Sequence, residues 1–242
     1  MMLLSLLEYD DALMEISALD GNSMNIVDGN TMVSERKQIK KVILFLCQGV
    51  EEYEACVFTD AFGWTTTYGL EPIKLTTVGF HQRIKCAWNF TVEPECLFDE
   101  IDTEEFDALV IPGGMSRSGF YDDAYDPRLL AWINEFDAKG KVVASVCVGA
   151  LPIAKSGVLS GRNGTTYHLS QKRQRQMQEY GVHVLNQPIV IDGNIITSRS
   201  PSTAMDVAFL VVEMLTSKAN LERIKEGMGF IKGISTNYTH CC

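Results

Sequence analysis

The chain has 242 residues, 46% of them hydrophobic and 21% charged, enough apolar side chain to bury one large domain or two small ones. Its 21 Lys+Arg against 31 Asp+Glu give a formal charge of -10. With that charge and no arginine-rich stripe interleaved with aromatics, no nucleic-acid binding is expected.

The opening MMLLSLLEYDDALMEIS has no basic start, and its apolar run is broken at Glu8, Asp10 and Asp11. It fits neither a secretory signal nor a membrane span, so a cytoplasmic protein with no membrane association is expected. Residues 1–38 combine an amphipathic helical pattern over 1–19 with an Asn-, Gly- and Ser-rich stretch lacking periodicity, which marks an N-terminal extension. Met24 and Met32 are each points from which a chain could start and still keep the core.

The pattern becomes regular from Lys41. Apolar runs alternate with helical stretches: VILFLC (42–47), EEYEACVFTDAFGWTTTYG, IKLTTVG (73–79), ALVIPGG (108–114), LLAWINEFDAKG (129–140), KVVASVC (141–147), ALPIAKSG (150–157), IVIDGNIITS (189–198) and PSTAMDVAFLVVEML (201–215). Strands apolar throughout and separated by helices predict an α/β fold with a mostly parallel sheet covered on both faces. The alternating RIKCAWNFTVEP (83–94) reads as a hairpin edge, and Asp192-Gly193 as a turn between two β-branched runs. The acidic FDEIDTEEFD (98–107) reads as a solvated loop or helix, not a metal site.

The seven cysteines, Cys47, Cys56, Cys86, Cys96, Cys147, Cys241 and Cys242, are an odd number without CxxC spacing in a chain of four histidines. Neither a disulfide framework nor a zinc site is indicated, and the terminal pair reads as unpaired thiols.

In an open parallel sheet, ligands bind beyond the carboxyl ends of the strands, which directs attention to the residues there. Ser145-Val146-Cys147-Val148-Gly149 has the small-x-nucleophile-x-Gly form of a nucleophile elbow after KVVAS. A thiol so placed at a helix start is expected to have a lowered pKa and to be nucleophilic and oxidisable. Cys47, Cys56, Cys86 and Cys96 lack that context and read as buried filler.

Glu54, in CQGVEEYEA, lies where a helix side chain can turn back over the sheet's end. Buried there it would keep a raised pKa and move protons; otherwise it is an ordinary helix glutamate. Glu51 and Glu52 are explained by the dipole of the same helix. Gly113 and Gly114 end ALVIP and read either as backbone oxyanion donors or as a plain turn. His168 and Tyr167 of TTYH are candidate bases or pocket donors, the alternative being a structural loop histidine. Arg199 either meets an anionic substrate group or is a surface cation, and Ser200-Pro201 reads as a helix cap followed by a first-turn proline. His81, His183 and His240 have no supporting context.

Four stretches, VILFLCQGVEEYEA, ALVIPGGMS, ASVCVGALPIAKSGVLSGRNGTTYH and GNIITSRSPSTAMDVAFLVVEML, occur in an order that resembles the ThiJ/PfpI superfamily, in the branch of the parkinsonism-associated deglycase. The resemblance runs from about Lys40 to Lys232 and places the domain at 39–232, with a tail at 233–242. It implies a flavodoxin-like three-layer αβα sandwich, usually a homodimer, with Cys147 as elbow nucleophile and Glu54 as a protonated partner. It also implies oxyanion binding at Gly113 and Gly114; Val148 is a further candidate for that role.

The implied activity is cofactor-free action on a small carbonyl substrate, glyoxal or methylglyoxal, or on its adducts; the alternative is a redox sensor or chaperone built on the same cysteine. Two departures stand out. Protease-like members have histidine directly after the nucleophile where this chain has Val148, which leaves a peptidase triad unsupported. In the deglycase branch the pocket histidine follows two threonines, and that position is Tyr167 here, one before His168. The isonitrile hydratases of the superfamily resemble a pattern with Asp at 54 and Thr at 148, against Glu54 and Val148 here.

Overall fold

The computed structural model describes residues 38–230. The expectations for the 1–38 extension short of its last residue, for the 233–242 tail, and for His240, Cys241 and Cys242 lie outside the described residues.

Apolar runs became strands where they could be covered on both sides. Lys40–Phe45 (β1), Ala108–Ile111 (β6) and Val142–Ser145 (β7) lie side by side, and apart from the half-buried lysines that open β1 every residue in them is buried. Ile73–Gly79 (β2) flanks β1 on its other side, followed at that edge by the two-residue Cys96–Leu97 (β5). Ile195–Ser198 (β11) flanks β7, and Ile189–Asp192 (β10) closes the sheet as its one antiparallel strand. The order is β10-β11-β7-β6-β1-β2-β5. The turn predicted at Asp192-Gly193 joins β10 to β11, with Gly193 at φ 62°, a left-handed value at which a side chain would be strained.

Glu52–Thr67 (α1), Ala204–Leu215 (α6) and Lys218–Gly227 (α7) pack together on one face of the sheet. After the short helix Phe120–Ala124 (α2), Pro127–Ala138 (α3), Ala150–Ser156 (α4) and Gln171–Glu179 (α5) form the layer on the other. This is the flavodoxin-like three-layer αβα sandwich. Valine, isoleucine, leucine and phenylalanine along β1, β6 and β7 form the centre of its core, each large side chain contributing about 1.5–3 kcal/mol on burial.

Two local expectations differ from the structure. The 83–94 segment forms its own two-stranded ribbon, Ile84–Lys85 (β3) with Thr91–Val92 (β4), and does not extend the main sheet; Asn163–Gly164 (β8) and His183–Val184 (β9) make a second small pair. Pro201–Thr203 is a single 3-10 turn that delays α6, and the Ser200 hydroxyl bonds Ser202 in place of capping backbone N–H groups. The acidic 98–107 run is the solvated stretch anticipated, loop with two 3-10 turns, and its carboxylates meet lysines: Asp107 with Lys40 at 2.9 Å, Glu105 with Lys41 at 2.8 Å, and Glu104 with Lys139.

The order of strands places β1 between β2 and β6, so the chain crosses one way after β1 and the other way after β6. The crevice between the carboxyl ends of β1 and β6 is therefore the switch point of the sheet, where ligands of such folds bind. Chain leaving β1, β6 and β7 supplies the residues that meet there.

Candidate active site

Cys147 follows β7 by one intervening residue and has φ 55°, the one non-glycine residue with positive φ among the described residues. Holding a side chain in that left-handed conformation costs about 1–2 kcal/mol, and the packing around the turn over-determines it. Gly149 lies so close to β6 that an added Cβ would sit 2.2 Å from the Ile111 carbonyl oxygen. The glycine two residues past the cysteine is thus needed for the turn to nest against β6. The Thr166 hydroxyl fastens the elbow from the other side by donating to the Cys147 carbonyl at 3.0 Å.

Glu54 enters from the first turn of α1 and is fully buried. The Gly113 N–H donates to its Oε2 at 2.6 Å, and a Cβ on Gly113 would lie 2.7 Å from that oxygen and 3.1 Å from the Cys147 Cβ. Gly113 is therefore the contact point of the acid and the nucleophile, and only a residue without a side chain fits between them. The second oxygen, Oε1, is buried without a partner at full hydrogen-bond geometry, with the Cys147 sulfur and the Glu51 carboxyl near enough to bias its proton. Burial first, and the Glu51 charge second, push the Glu54 carboxyl up to about 8, against the lowering effect of Gly113 and Cys147. Glu54 is consequently neutral over most of the physiological range.

Burial also dominates the thiol. Cys147 is 7% exposed, and desolvation, then the charge of Glu54, raise its pKa well above the usual range, opposed by the Val148 N–H directed at the sulfur. The sequence reading anticipated a lowered thiol pKa from the helix start; the depth of the elbow overturns it, because the short 3-10 turn Cys147–Gly149 and the seven-residue α4 offer little dipole against full desolvation. Protonating Glu54 removes the second largest of the causes that raise the thiol. Acid and nucleophile are thus linked, with a neutral carboxyl favouring thiolate.

The remaining sequence candidates divide. The Gly113 N–H, proposed for an oxyanion, is already committed to Glu54, and the Gly113 carbonyl accepts from the Glu51 N–H at 2.9 Å. The Gly114 N–H has no partner among the described residues, its flanking groups having made the bridge to the 49–51 segment. Val148 is buried beside the sulfur. His168 is exposed; its Nδ1 lies 3.4 Å from the Arg199 carbonyl and its ring packs edge-on against Tyr167, so its contacts run away from Cys147 and Glu54. Half-buried Arg199 uses its backbone N–H on the Pro188 carbonyl, and its side chain makes no ion pair among the described residues.

Residues that the sequence did not single out also belong here. Glu51 and Glu54 influence each other's protonation, the Glu51 charge being the second cause that raises Glu54, a role beyond the helix dipole. Glu52 likewise does more than complement that dipole: its Oε1 accepts backbone N–H groups of Trp88 and Asn89 at 3.0 Å and of Phe90 at 3.3 Å, fixing the ribbon's tip to the start of α1. His81, without context in the sequence, bonds buried Asp123 at 3.0 Å, whose other oxygen takes the Gln48 N–H at 2.8 Å and so shapes the loop after β1. Tyr121 and Ser116 lie in the chain beyond Gly114, near enough to Cys147 for charge on its sulfur to raise the Tyr121 phenol. Cys56 is exposed on α1, contrary to its reading as filler, and Cys96 is only half-buried; Cys47 and Cys86 are buried as anticipated.

A strained cysteine elbow faced by a buried carboxyl from the first helix, on a mostly parallel αβα sandwich, defines a class of proteins by arrangement alone. Over residues 40–214 the sequence matches the DJ-1/PfpI family, and the chain belongs to that family. Protein dj-1beta of Drosophila melanogaster is 27% identical over 191 residues, covering 78% of this chain and 96% of that one. The crystal structure of Drosophila melanogaster DJ-1beta aligns over 79% of this chain and 98% of that one with a TM-score of 0.69 and 25% sequence identity. The deglycase PH1704 of Pyrococcus horikoshii is 34% identical over 113 residues, 47% of this chain and 64% of that protein, so this match spans under two thirds of the relative. No helix among the described residues is long and apolar enough to cross a membrane.

Proposed function

We propose that this chain is a cofactor-independent, cysteine-dependent enzyme acting on small dicarbonyls such as methylglyoxal and glyoxal, or on their adducts. The observation that carries the reading is the convergence at Gly113, whose N–H holds the Glu54 carboxyl at 2.6 Å while its Cα faces the Cys147 Cβ. Relatives named deglycases support the reaction class.

In this mechanism the Cys147 sulfur bonds to the aldehyde carbon, the carbonyl π bond breaks, and the sulfur's proton ends on the carbonyl oxygen, giving a hemithioacetal. The Gly114 N–H stabilises charge on that oxygen as it develops. Glu54, titrating at about 8, is poised to act as both base and acid near neutrality. It takes the proton from the former aldehyde carbon and returns one to the neighbouring ketone carbon. The first carbon is thereby oxidised to a thioester and the second reduced to an alcohol, with no external oxidant. Water cleaves the thioester, releasing the hydroxy acid and the thiol.

The test is lactate formation from methylglyoxal. Cys147→Ser and Glu54→Gln should each abolish turnover; a rate equal to the parent's in either variant removes the enzyme reading. Intact mass after mild peroxide separates it from the oxidation-sensor alternative, for which a sulfinate at Cys147 without any dicarbonyl turnover is required.

A further inference from the structure

Arg173 stands out among the cations of the chain for what surrounds it. It lies in the first turn of α5, QKRQRQMQE, a turn that contains no acidic residue. A cation there faces the positive end of the helix, which is locally unfavourable and calls for a compensating reason. Three other described arginines have carboxylates, Arg162 with Asp137 at 2.9 Å and Asp192 at 3.1 Å, Arg128 with Asp126 at 2.9 Å and Arg83 with Glu93 at 3.7 Å, while Arg117, Arg175, Arg199 and Arg223 have no ion pair among the described residues. Among the described residues Arg173 has no carboxylate within ion-pair distance.

Its guanidinium is nevertheless held in place. Nη2 donates to the Ser116 hydroxyl at 2.7 Å, Nη1 donates to the Gln176 amide oxygen at 2.9 Å, and the guanidinium carbon lies 4.2 Å from the centre of the Tyr121 ring. Both acceptors are neutral, so the positive charge is fixed without being neutralised, and three of the five N–H groups of the fork remain for a ligand.

The location matters as much as the charge. Ser116 is two residues beyond Gly114, in the chain leaving β6 at the switch point, and Tyr121 follows in the same excursion. The Tyr121 phenol, raised by burial to about 12, is lowered by Arg173 and raised by charge on Cys147, which puts it within electrostatic reach of both. Ser116, Tyr121 and Arg173 therefore form one unit beside the elbow, joining α5 to the loop that delivers the glycine pair.

We propose that Arg173, laid on Tyr121 and tied to Ser116 beside the Cys147 elbow, is a specificity-determining carboxylate-recognition group, so that among the adducts of those dicarbonyls this chain favours the ones that carry a carboxylate. A single planar guanidinium with free in-plane donors matches a singly charged planar anion. The inference rests on the proposed reaction for its substrate, but recognition can be read without turnover.

The measurement is alkylation of Cys147 by iodoacetate and by iodoacetamide, followed by mass spectrometry at that residue. In each case an S–C bond forms and iodide leaves; the reagents differ in the charge of the arm. Normalised to free N-acetylcysteine, the parent should favour iodoacetate by roughly tenfold, the effect of one charge-assisted contact. Arg173→Met should erase that preference and Arg173→Lys should retain part of it. An acid-to-amide ratio unchanged in Arg173→Met overturns the proposal, and the lysine variant controls for a merely structural tie between α5 and the loop.

Turnover provides the second arm, using the methylglyoxal hemithioacetals of N-acetylcysteine and of its amide. Arg173→Met should raise KM for the acid by roughly tenfold with kcat within about twofold of the parent. A preference seen in alkylation, with neither adduct turned over, would sink the enzyme reading and leave carboxylate recognition standing. Equal turnover of both adducts by the parent would do the reverse.

Discussion

The molecule contains the same short phrase twice, Cys47-Gln48-Gly49 after β1 and Cys147-Val148-Gly149 after β7, with each cysteine two residues past its strand. Both sulfurs are buried, Cys47 at 1% and Cys147 at 7% exposure. The backbone separates them. In the first phrase Gly49 adopts the left-handed conformation, φ 68°, and the cysteine continues the core; in the second the cysteine itself is left-handed, and its glycine packs on β6. The neighbouring carboxyls differ too: Cys47 is raised by burial and by the charge of Asp123, which accepts from the Gln48 N–H and pairs with His81, whereas Cys147 faces a carboxyl that is neutral below about 8. A cysteine at a strand end becomes a candidate nucleophile through which residue of the turn bears the strain and whether its acid partner can shed charge.

The largest effect that separates the two phrases is in turnover. Cys147→Ser should lower lactate formation by at least about a hundredfold, while Cys47→Ser leaves it within about threefold of the parent. Equal losses would erase the distinction. Next comes the glycine of the second phrase: Gly149→Ala forces a Cβ against the Ile111 carbonyl at 2.2 Å and should cost on the order of 2–4 kcal/mol in urea unfolding.

The pH dependence of stability is comparable in size and has a definite sign. Glu54 has an ordinary carboxyl pKa near 4.5 when unfolded and about 8 when folded, so across that window the folded state holds the proton more tightly. Its favourable contribution is complete below about 4.5 and is lost as pH rises through about 8, on the order of a few kcal/mol. Urea midpoints from pH 5 to 8.5 should fall for the parent and flatten for Glu54→Gln. The same variant should speed alkylation of Cys147 above pH 8, where the parent's carboxylate opposes thiolate, and leave Cys47 unaffected.

The smallest contrast concerns strain. Cys147→Gly relieves a left-handed side chain while giving up its burial, and should lie within about 1 kcal/mol of the parent; Cys47→Gly has no strain to relieve and should cost about 2 kcal/mol. Thermal or urea unfolding of the pair checks this, and a reversed order would place the strain elsewhere.

Strands β1, β6 and β7 were legible because burial on both faces leaves nothing but apolar residues, and the elbow because a tight turn restricts its neighbours to small side chains. Glu54 could be placed from its offset after β1. Side-chain direction in an aperiodic loop could not be read, and His168 of TTYH turned outward for that reason. Arg173 was invisible among the cations of QKRQRQMQE, since only the folded chain sets that helix against Ser116 and Tyr121. The thiol's pKa was misjudged because a helix start can be recognised from sequence, whereas depth below the surface is a property of the assembled layers. Cys56 was misplaced for a related reason, its face of α1 being set by packing that the mixed pattern of that helix does not announce.

The tip of the 84–92 ribbon is tied by three backbone N–H groups to the carboxylate of Glu52, which shares a helical turn with Glu54, and by the Ala87 N–H to the Val50 carbonyl at 2.8 Å. Any force that lifts the ribbon must therefore pull on the same turn that sets the acid against the sulfur. The ribbon outside and the acid of the crevice are in this way separated by only two residues of backbone, both anchored in the first turn of α1.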